Sequence, residues 1–493
     1  MASNAVKSQS ARSLSIVWFR QDLRIFDNPA LFAAAQAGTV LPVYILDDIN
    51  AGDHTMGGAS RVFLNHSLEA LNKSLKGRLQ LLSGDASKLL PQLVADTGAS
   101  AVFWNRCYEP WRIARDKKIK AALLKSDIEV HSSNGSLLWE PWSVLKKDGT
   151  PYKVYSPYYK RGCLGSVDVI RPVLTDPKKL TLLSDAKIED LKRTSELKIL
   201  ELKQLSLLPS IDWDKSITQA WDAGEDAAHK KLTALIERRL EGYKKGRDFP
   251  AMQSTSRLSP HLHFGELSPH QVWSQVRQTM ALDEEDSSHF LSELAWREFS
   301  YYLLYHWPSL PSQPFRPKYA AFPFLKDAKG LRQWQQGKTG FPIIDAGMRE
   351  LWQTGYMHNR VRMIVGSFLV KNQLIDWRKG EQWFWDCLVD ADLASNSASW
   401  QWVAGCGADA APYFRIFNPL LQSEKFDPDG EYLLTYLPEL ADLPKKYLHK
   451  PWDAPDEVLN AAGVKLGKDY PKPILDLKLT RERALQTLKS LTP

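Results

Sequence analysis

The 493-residue chain has few cysteines, Cys107, Cys163, Cys387 and Cys406, and no two of them form a Cys-x-x-Cys pair. That scarcity excludes a disulfide framework and a cysteine-bound zinc centre, and it points to a reducing compartment. Long apolar runs are also missing. No segment approaches the ~20 residues that cross a bilayer, and residues 1–12 lack the apolar block of a secretory signal. A cytoplasmic protein without a membrane is expected, and a nuclear location is compatible with the same features. Internal repeats are absent. Charge of one sign is in short supply too: 64 Lys and Arg against 57 Asp and Glu leave a net charge of +7, which permits a polyanionic partner without demanding one.

What the chain does have is length and tryptophan. At 493 residues it exceeds the size at which one hydrophobic core keeps growing, so two or more domains are expected. Eighteen tryptophans are a heavy load. Most serve packing, but indole N–H groups want partners when buried, so some of these rings are expected to serve a ligand or electron transfer. Short β-rich runs at 14–19, 41–46, 79–82, 101–104 and 128–131 alternate with helical patterns, which predicts a doubly wound parallel sheet over 12–140. Asn28 before Pro29 reads as an N-cap followed by proline in the first turn. The architecture is Rossmann-like, yet no glycine-rich fingerprint follows the first strand, so no dinucleotide is expected there. Over 141–212 the alternation stops and Pro and Lys become frequent, which reads as a connector. From 213 to 490 long helical patterns dominate, giving α/β plus all-α as the fold class.

Within the helical part, residues 390–419 crowd carboxylates, amides, two indoles and a guanidinium together. Asp390, Asp392 and Asn396 are expensive to bury without partners. Beside Trp400 and Trp402 they point to a site for something planar and hydrogen-bonding, such as a flavin or a nucleobase. Upstream, Tyr243 and the run Thr255-Ser256-Arg257-Leu258-Ser259-Pro260 group hydroxyls and one guanidinium before a helix. That run either caps the helix or holds a phosphate. Glu293, Trp296 and Arg297 stand at i, i+3 and i+4, so they share one helical face, either as an exposed ion pair beside an indole or as part of a site.

The 390–419 stretch resembles the flavin-binding core of the photolyase and cryptochrome family, closest to class I cyclobutane pyrimidine dimer photolyases, and the resemblance runs through nearly the whole chain. It implies one non-covalent FAD in the helical domain, contacted by Tyr243, Thr255, Ser256, Arg257, Leu258, Ser259, Arg297, Asn359, Arg362, Asp390, Asp392 and Asn396. Trp296 and Trp402 would wall a pocket for a flipped-out lesion, Glu293 would hydrogen-bond a thymine carbonyl in a neutral form, and Asn359 and Met363 would line the same pocket. The family's six-four photolyases carry histidines at those last two positions. Asparagine and methionine supply no general acid, so cyclobutane dimers are the expected substrate. Asn396 would lie beside flavin N5, where plant-type cryptochromes place an aspartate. Trp400 and Trp377 match the first two members of the family's electron path, but Phe324 stands where the outer tryptophan is expected; Trp334 or a nearby tyrosine is the alternative terminus.

The resemblance further implies that Arg247, Arg360 and Arg415 grip phosphates of ultraviolet-damaged DNA. Glu109, next to Cys107 and Tyr108, matches a residue that holds a folate antenna, which makes methenyltetrahydrofolate the first antenna expectation and a deazaflavin the second. The residues around Trp18 to Arg24 and Asp27-Asn28-Pro29 match the family's opening signature and are expected to be mainly structural. The implied activity is light-driven splitting of dimers by a monomeric lyase with no metal. A cryptochrome-like photoreceptor is the alternative, and against it no long extension follows Leu488.

Overall fold

The computed structural model describes residues 13–166, 170–177, 179–279, 284–410 and 415–491. Five parallel strands, β1 (Ser13–Phe19), β2 (Gly38–Leu46), β3 (Gln80–Ser83), β4 (Ala101–Asn105) and β5 (Glu129–Ser133), lie in the order β3-β2-β1-β4-β5. Strands β1 and β2 are buried along almost their whole length, because helices cover both faces of the sheet. Those helices are Pro29–Ala37, Gly58–Ser74, Ala86–Thr97 and Pro110–Lys125. The expected cap is present: Leu31 N donates to Asn28 Oδ1 at 3.1 Å, with Pro29 in the first turn. Each expected strand run is found. β2 starts at Gly38 rather than at 41 because residues 38–40 continue its pairing with Ser13, Leu14 and Ser15.

The stretch 141–212 holds more regular structure than a connector. β6 (Thr181–Leu182) pairs in parallel with Thr39 and Val40 of β2, and Asp185–Thr194 is a helix. Its buried apolar stripe is only Ile188 and Leu191, too short to announce itself as periodicity. Beyond 212 the regular elements among the described residues are helices, the longest being Glu284–His306. No helix among them is long and apolar enough to cross a membrane.

The opening signature joins the two halves. Arg24 is fully buried and donates to the carbonyls of Gly265 at 2.8 Å, Asp27 at 2.8 Å and Gly135 at 2.7 Å. Asp27 accepts from Ser268 Oγ at 2.5 Å and Leu174 N at 2.7 Å. Glu225, at the start of the helix Glu225–Arg238, receives Ile25 N and Phe26 N at 2.8 Å each. Gly265, at φ 67°, lets the helical half approach this loop, since a Cβ there would lie 2.1 Å from the Gln21 carbonyl oxygen. The 20–28 loop thus docks onto the helices that carry the candidate site.

Candidate active site

Asp390, Asp392 and Asn396 flank the start of the helix Leu393–Ala404, and all three are buried. Arg362 Nη2 lies 3.4 Å from both oxygens of Asp390. Asn396 Nδ2 donates to the Glu381 carbonyl oxygen at 3.0 Å, which fixes the direction of the amide. The Glu381 carboxyl accepts from Ser397 Oγ at 2.5 Å, and burial pushes it up to about 7. Asp392 is the helix N-cap: Ser395 N donates to its Oδ1 at 2.7 Å, Tyr301 donates to its Oδ2, and His263 Nδ1 stands 3.4 Å away. Burial alone would raise this carboxyl, but His263, Arg297 and the Tyr301 hydroxyl hold it well below the usual carboxylate range. Of the 390–419 stretch, residues 411–414 lie outside the described residues.

On the phosphate side, the run 255–259 performs some of the turn chemistry that its hydroxyls allow. Leu258 N donates to Ser256 Oγ at 3.3 Å, and Ser259 opens the short helix Ser259–His263. Thr255 accepts from Arg239 through its carbonyl at 3.2 Å. Tyr243 is buried, and Leu258 is almost fully so. Arg257 departs from turn chemistry. Its backbone is left-handed at φ 51°, and its guanidinium lies 4.3 Å from the Trp221 ring and 5.0 Å from Tyr356. Its Nε and Nη2 are buried without a hydrogen-bond partner among the described residues. A buried cation with two idle donors, held over aromatic faces, fits the phosphates of a flavin dinucleotide.

The face shared by Glu293, Trp296 and Arg297 does not converge as their spacing predicts. Glu293 pairs with Arg247, which comes from the turn after the helix Tyr243–Gly246, and about a third of its side chain is exposed. His289 Nε2 is 3.8 Å from the same carboxylate oxygen. The expected neutral carboxyl therefore meets a guanidinium instead of a desolvated pocket wall. Arg297 turns inward, donating to the Ser136 carbonyl at 2.9 Å and pairing with Glu298 at 3.1 Å, because a buried guanidinium needs a carboxylate and carbonyl acceptors that the Glu293 side does not offer. Trp296 stacks on Tyr155, with centroids 3.7 Å apart and planes 11° apart. Trp402 is half-buried on the helix that carries Asn396.

Asn359 and Met363 lie on the helix Asn359–Ser367, as expected for one face, with Asn359 exposed. Between them, Arg360 pairs with Asp248 at 2.6 Å, while its Nε is buried without a hydrogen-bond partner. His358 caps the helix; burial, together with repulsion from Arg247, Arg360 and Arg362, lowers it to about 4, so the ring is neutral at pH 7. Arg415 is exposed at the start of a described segment.

Trp400 and Trp377 are both buried. Gly380 makes room for Trp400, since a Cβ at that position would come within 2.1 Å of its ring. Phe324 packs 4.7 Å from Phe322, whereas Trp334 contacts Trp400 directly, edge to face at 6.2 Å. In the sheet half, Glu109 and Arg112 line a pocket with Trp18, Tyr44, Trp111 and Trp385 at the carboxyl ends of β1 and β2. Cys107 lies beneath it, its Sγ 3.6 Å from Arg112, and burial raises its thiol. Glu109 pairs with Arg112 through Oε1 at 3.3 Å, and its Oε2 is buried with no hydrogen-bond partner among the described residues.

Sequence reasoning missed Asp248, His289, Tyr155, Tyr301, His263 and Glu381. Except for His289, which stands four residues before Glu293 on the same helix and so at a spacing the sequence does show, each acts on an expected residue from a distant segment or another helix, and nothing in local spacing signals that. Compared with known proteins, residues 290–490 match the family described as the FAD binding domain of DNA photolyase, and residues 15–173 match the DNA photolyase family. The chain is 50% identical to the deoxyribodipyrimidine photo-lyase of Agrobacterium fabrum, covering 95% of this chain and 96% of the relative. It is 40% identical to cryptochrome-2 of Arabidopsis thaliana, covering 95% of this chain and 77% of the relative. The solved structure of a bacterial class III photolyase from Agrobacterium tumefaciens superposes with a TM-score of 0.92 at 48% identity, covering 99% of both chains.

Proposed function

This chain belongs to the photolyase and cryptochrome family, and from that membership we propose that it is a deoxyribodipyrimidine photo-lyase, splitting cyclobutane pyrimidine dimers in ultraviolet-damaged DNA under light. Sequence resemblance points to class I; the class III photolyase at 48% identity makes class III the branch we propose. The observation that carries the reading over a photoreceptor is Asn396, a buried amide fixed by the Glu381 carbonyl where a titratable side chain would otherwise stand. Asparagine cannot exchange a proton with the cofactor near neutral pH.

When bound and reduced, FAD would supply the one-electron, light-driven chemistry that opening the dimer ring needs. The chain's own residues do the rest. Arg257 and the 255–259 turn hold the phosphate end, and the Arg362–Asp390 pair and Asn396 orient the ring end. Trp296, backed by Tyr155, presents one rigid wall to the flipped-out bases, with Trp402 as the other. Asn359 and Met363 line the pocket without offering a proton. Glu293 lines the pocket once Arg247 turns to the DNA, and Arg360 and Arg415 serve as further backbone contacts. The half-enclosed pocket at the carboxyl ends of β1, β2 and β4, beside the β1/β4 point where strand order reverses, suits a planar antenna, with Glu109 as its polar anchor. Methenyltetrahydrofolate is the first choice there and a deazaflavin the second; extraction and mass spectrometry identify it.

The decisive assay exposes reduced protein and irradiated DNA to near-ultraviolet or blue light, with a dark control and a six-four lesion in parallel. Loss of cyclobutane dimers in light alone is expected. Loss of six-four lesions would overturn the reading of Asn359 and Met363. A photocycle with no repair would transfer the assignment to a photoreceptor, the reading that the 40% identity to cryptochrome-2 keeps in view.

A further inference from the structure

Arg247 and Asp248 are consecutive, yet they reach in different directions from one turn. Arg247 pairs with Glu293 of the helix Glu284–His306, and Asp248 pairs with Arg360 of the helix Asn359–Ser367. The turn therefore bridges two helices that flank the proposed lesion pocket, and each of the two arginines is held by a carboxylate of the protein itself. Asp248 Oδ1 lies 2.6 Å from Arg360 Nη2. The guanidinium is also held from one side by Phe426, whose ring centroid is 4.4 Å from Cζ. Its Nε, buried and without a hydrogen-bond partner, leaves the fork incompletely used by its single carboxylate contact. Asp248 is 37% exposed in its side chain, so it can leave this contact for water without disturbing the core.

A carboxylate against a guanidinium offers the charge and the hydrogen-bond acceptors that a phosphate offers, and the two compete for one fork. We propose that Asp248 occupies, in the free protein, the place on Arg360 that a DNA phosphate takes in the complex, so that Asp248 sets the affinity for DNA and leaves the chemistry untouched. This inference rests on the reading of Arg360 as a backbone contact. Displacing Asp248 costs part of an ion pair on every binding event, which shortens residence on DNA in general. Phe426 keeps the guanidinium plane in place while its partner changes.

The test measures dark binding of the FAD-loaded protein to a labelled duplex with one cyclobutane dimer and to the matched undamaged duplex, across a salt series. Asp248→Asn is expected to bind both duplexes about fivefold more tightly, the equivalent of one surface ion pair. Asp248→Ser gives the same result if the asparagine amide still engages Arg360. Repair per bound lesion at saturating protein stays at the wild-type rate. In an Arg360→Gln background the gain from Asp248→Asn disappears. Unchanged or weaker binding in both Asp248 variants overturns the proposal, as does a gain that persists in the Arg360→Gln background, which would reduce Asp248 to a general repulsive charge. If Arg360→Gln alone leaves both the affinity and the salt slope unchanged, the backbone-contact reading fails and the proposal falls with it; a slope shallower by about one is the result that upholds that reading.

Discussion

Two buried, charge-rich regions of this molecule treat their polar atoms differently. Between the sheet and the helices, each nitrogen of Arg24 donates to a carbonyl, and both oxygens of Asp27 accept from donors. At Arg257, His358 and Arg360, several side-chain nitrogens are buried with no hydrogen-bond partner among the described residues. Burying an unsatisfied donor costs free energy, so the first arrangement is what a structural joint requires, and the second is where we propose that another molecule completes the contacts. Residue type alone does not make the distinction, since both regions contain arginine beside aromatic or acidic neighbours. Satisfaction does.

The largest expected effect that separates the two regions is on stability. Arg24→Ala removes the donor to three segments at once and leaves their carbonyls buried; a loss of about 4 kcal/mol or more is expected, read from denaturant unfolding. A loss below about 1 kcal/mol would mean that the joint is not what holds the halves together.

A smaller effect follows pH. Burial pushes the carboxyls of Glu225, Glu298, Glu350 and Glu381 up to about 7, above their ordinary value of 4.5. For such groups the stabilising contribution is full below the unfolded value and is lost as pH rises through about 7, so their share of stability declines across that window. Glu381→Gln, which keeps a partner for Ser397, is expected to flatten the decline of the unfolding free energy by at most about 1.4 kcal/mol per pH unit. An unchanged slope would show that Glu381 is ionised in the folded protein throughout.

The smallest effect concerns the aromatic path. Phe324→Trp is expected to quicken photoreduction of the cofactor, because Phe324 interrupts the expected series of indoles. If the rate does not change, Trp334, already in contact with Trp400, supplies the route instead.

The sheet was legible because its strands are short apolar runs bounded by turn residues, and the cap at Asn28 because it is a local signal. β6 and the helix Asp185–Thr194 were not, since a two-residue strand and a two-residue apolar stripe carry almost no periodicity. In the site, Arg362 with Asp390 and the amide at Asn396 were legible only through the family resemblance that their motifs carry. The inward turn of Arg297 and the pairing of Glu293 with Arg247 were not, because a long side chain chooses among partners that only the tertiary fold supplies. Asp248 is the extreme case: a single exposed-looking aspartate whose meaning lies in Arg360, on a helix more than a hundred residues away.

The measurement that bears most directly on this account compares the apoproteins of the wild type and Arg257→Gln in two respects, FAD affinity by fluorescence quenching and thermal midpoint. The idle donors of Arg257 predict an affinity lower by on the order of a hundredfold with an unfolding midpoint equal to or above the wild type, since the substitution removes a cation two of whose buried nitrogens have no hydrogen-bond partner among the described residues. Undiminished affinity together with a lowered midpoint would place Arg257 in the structural class with Arg24 and contradict the distinction drawn between the two regions.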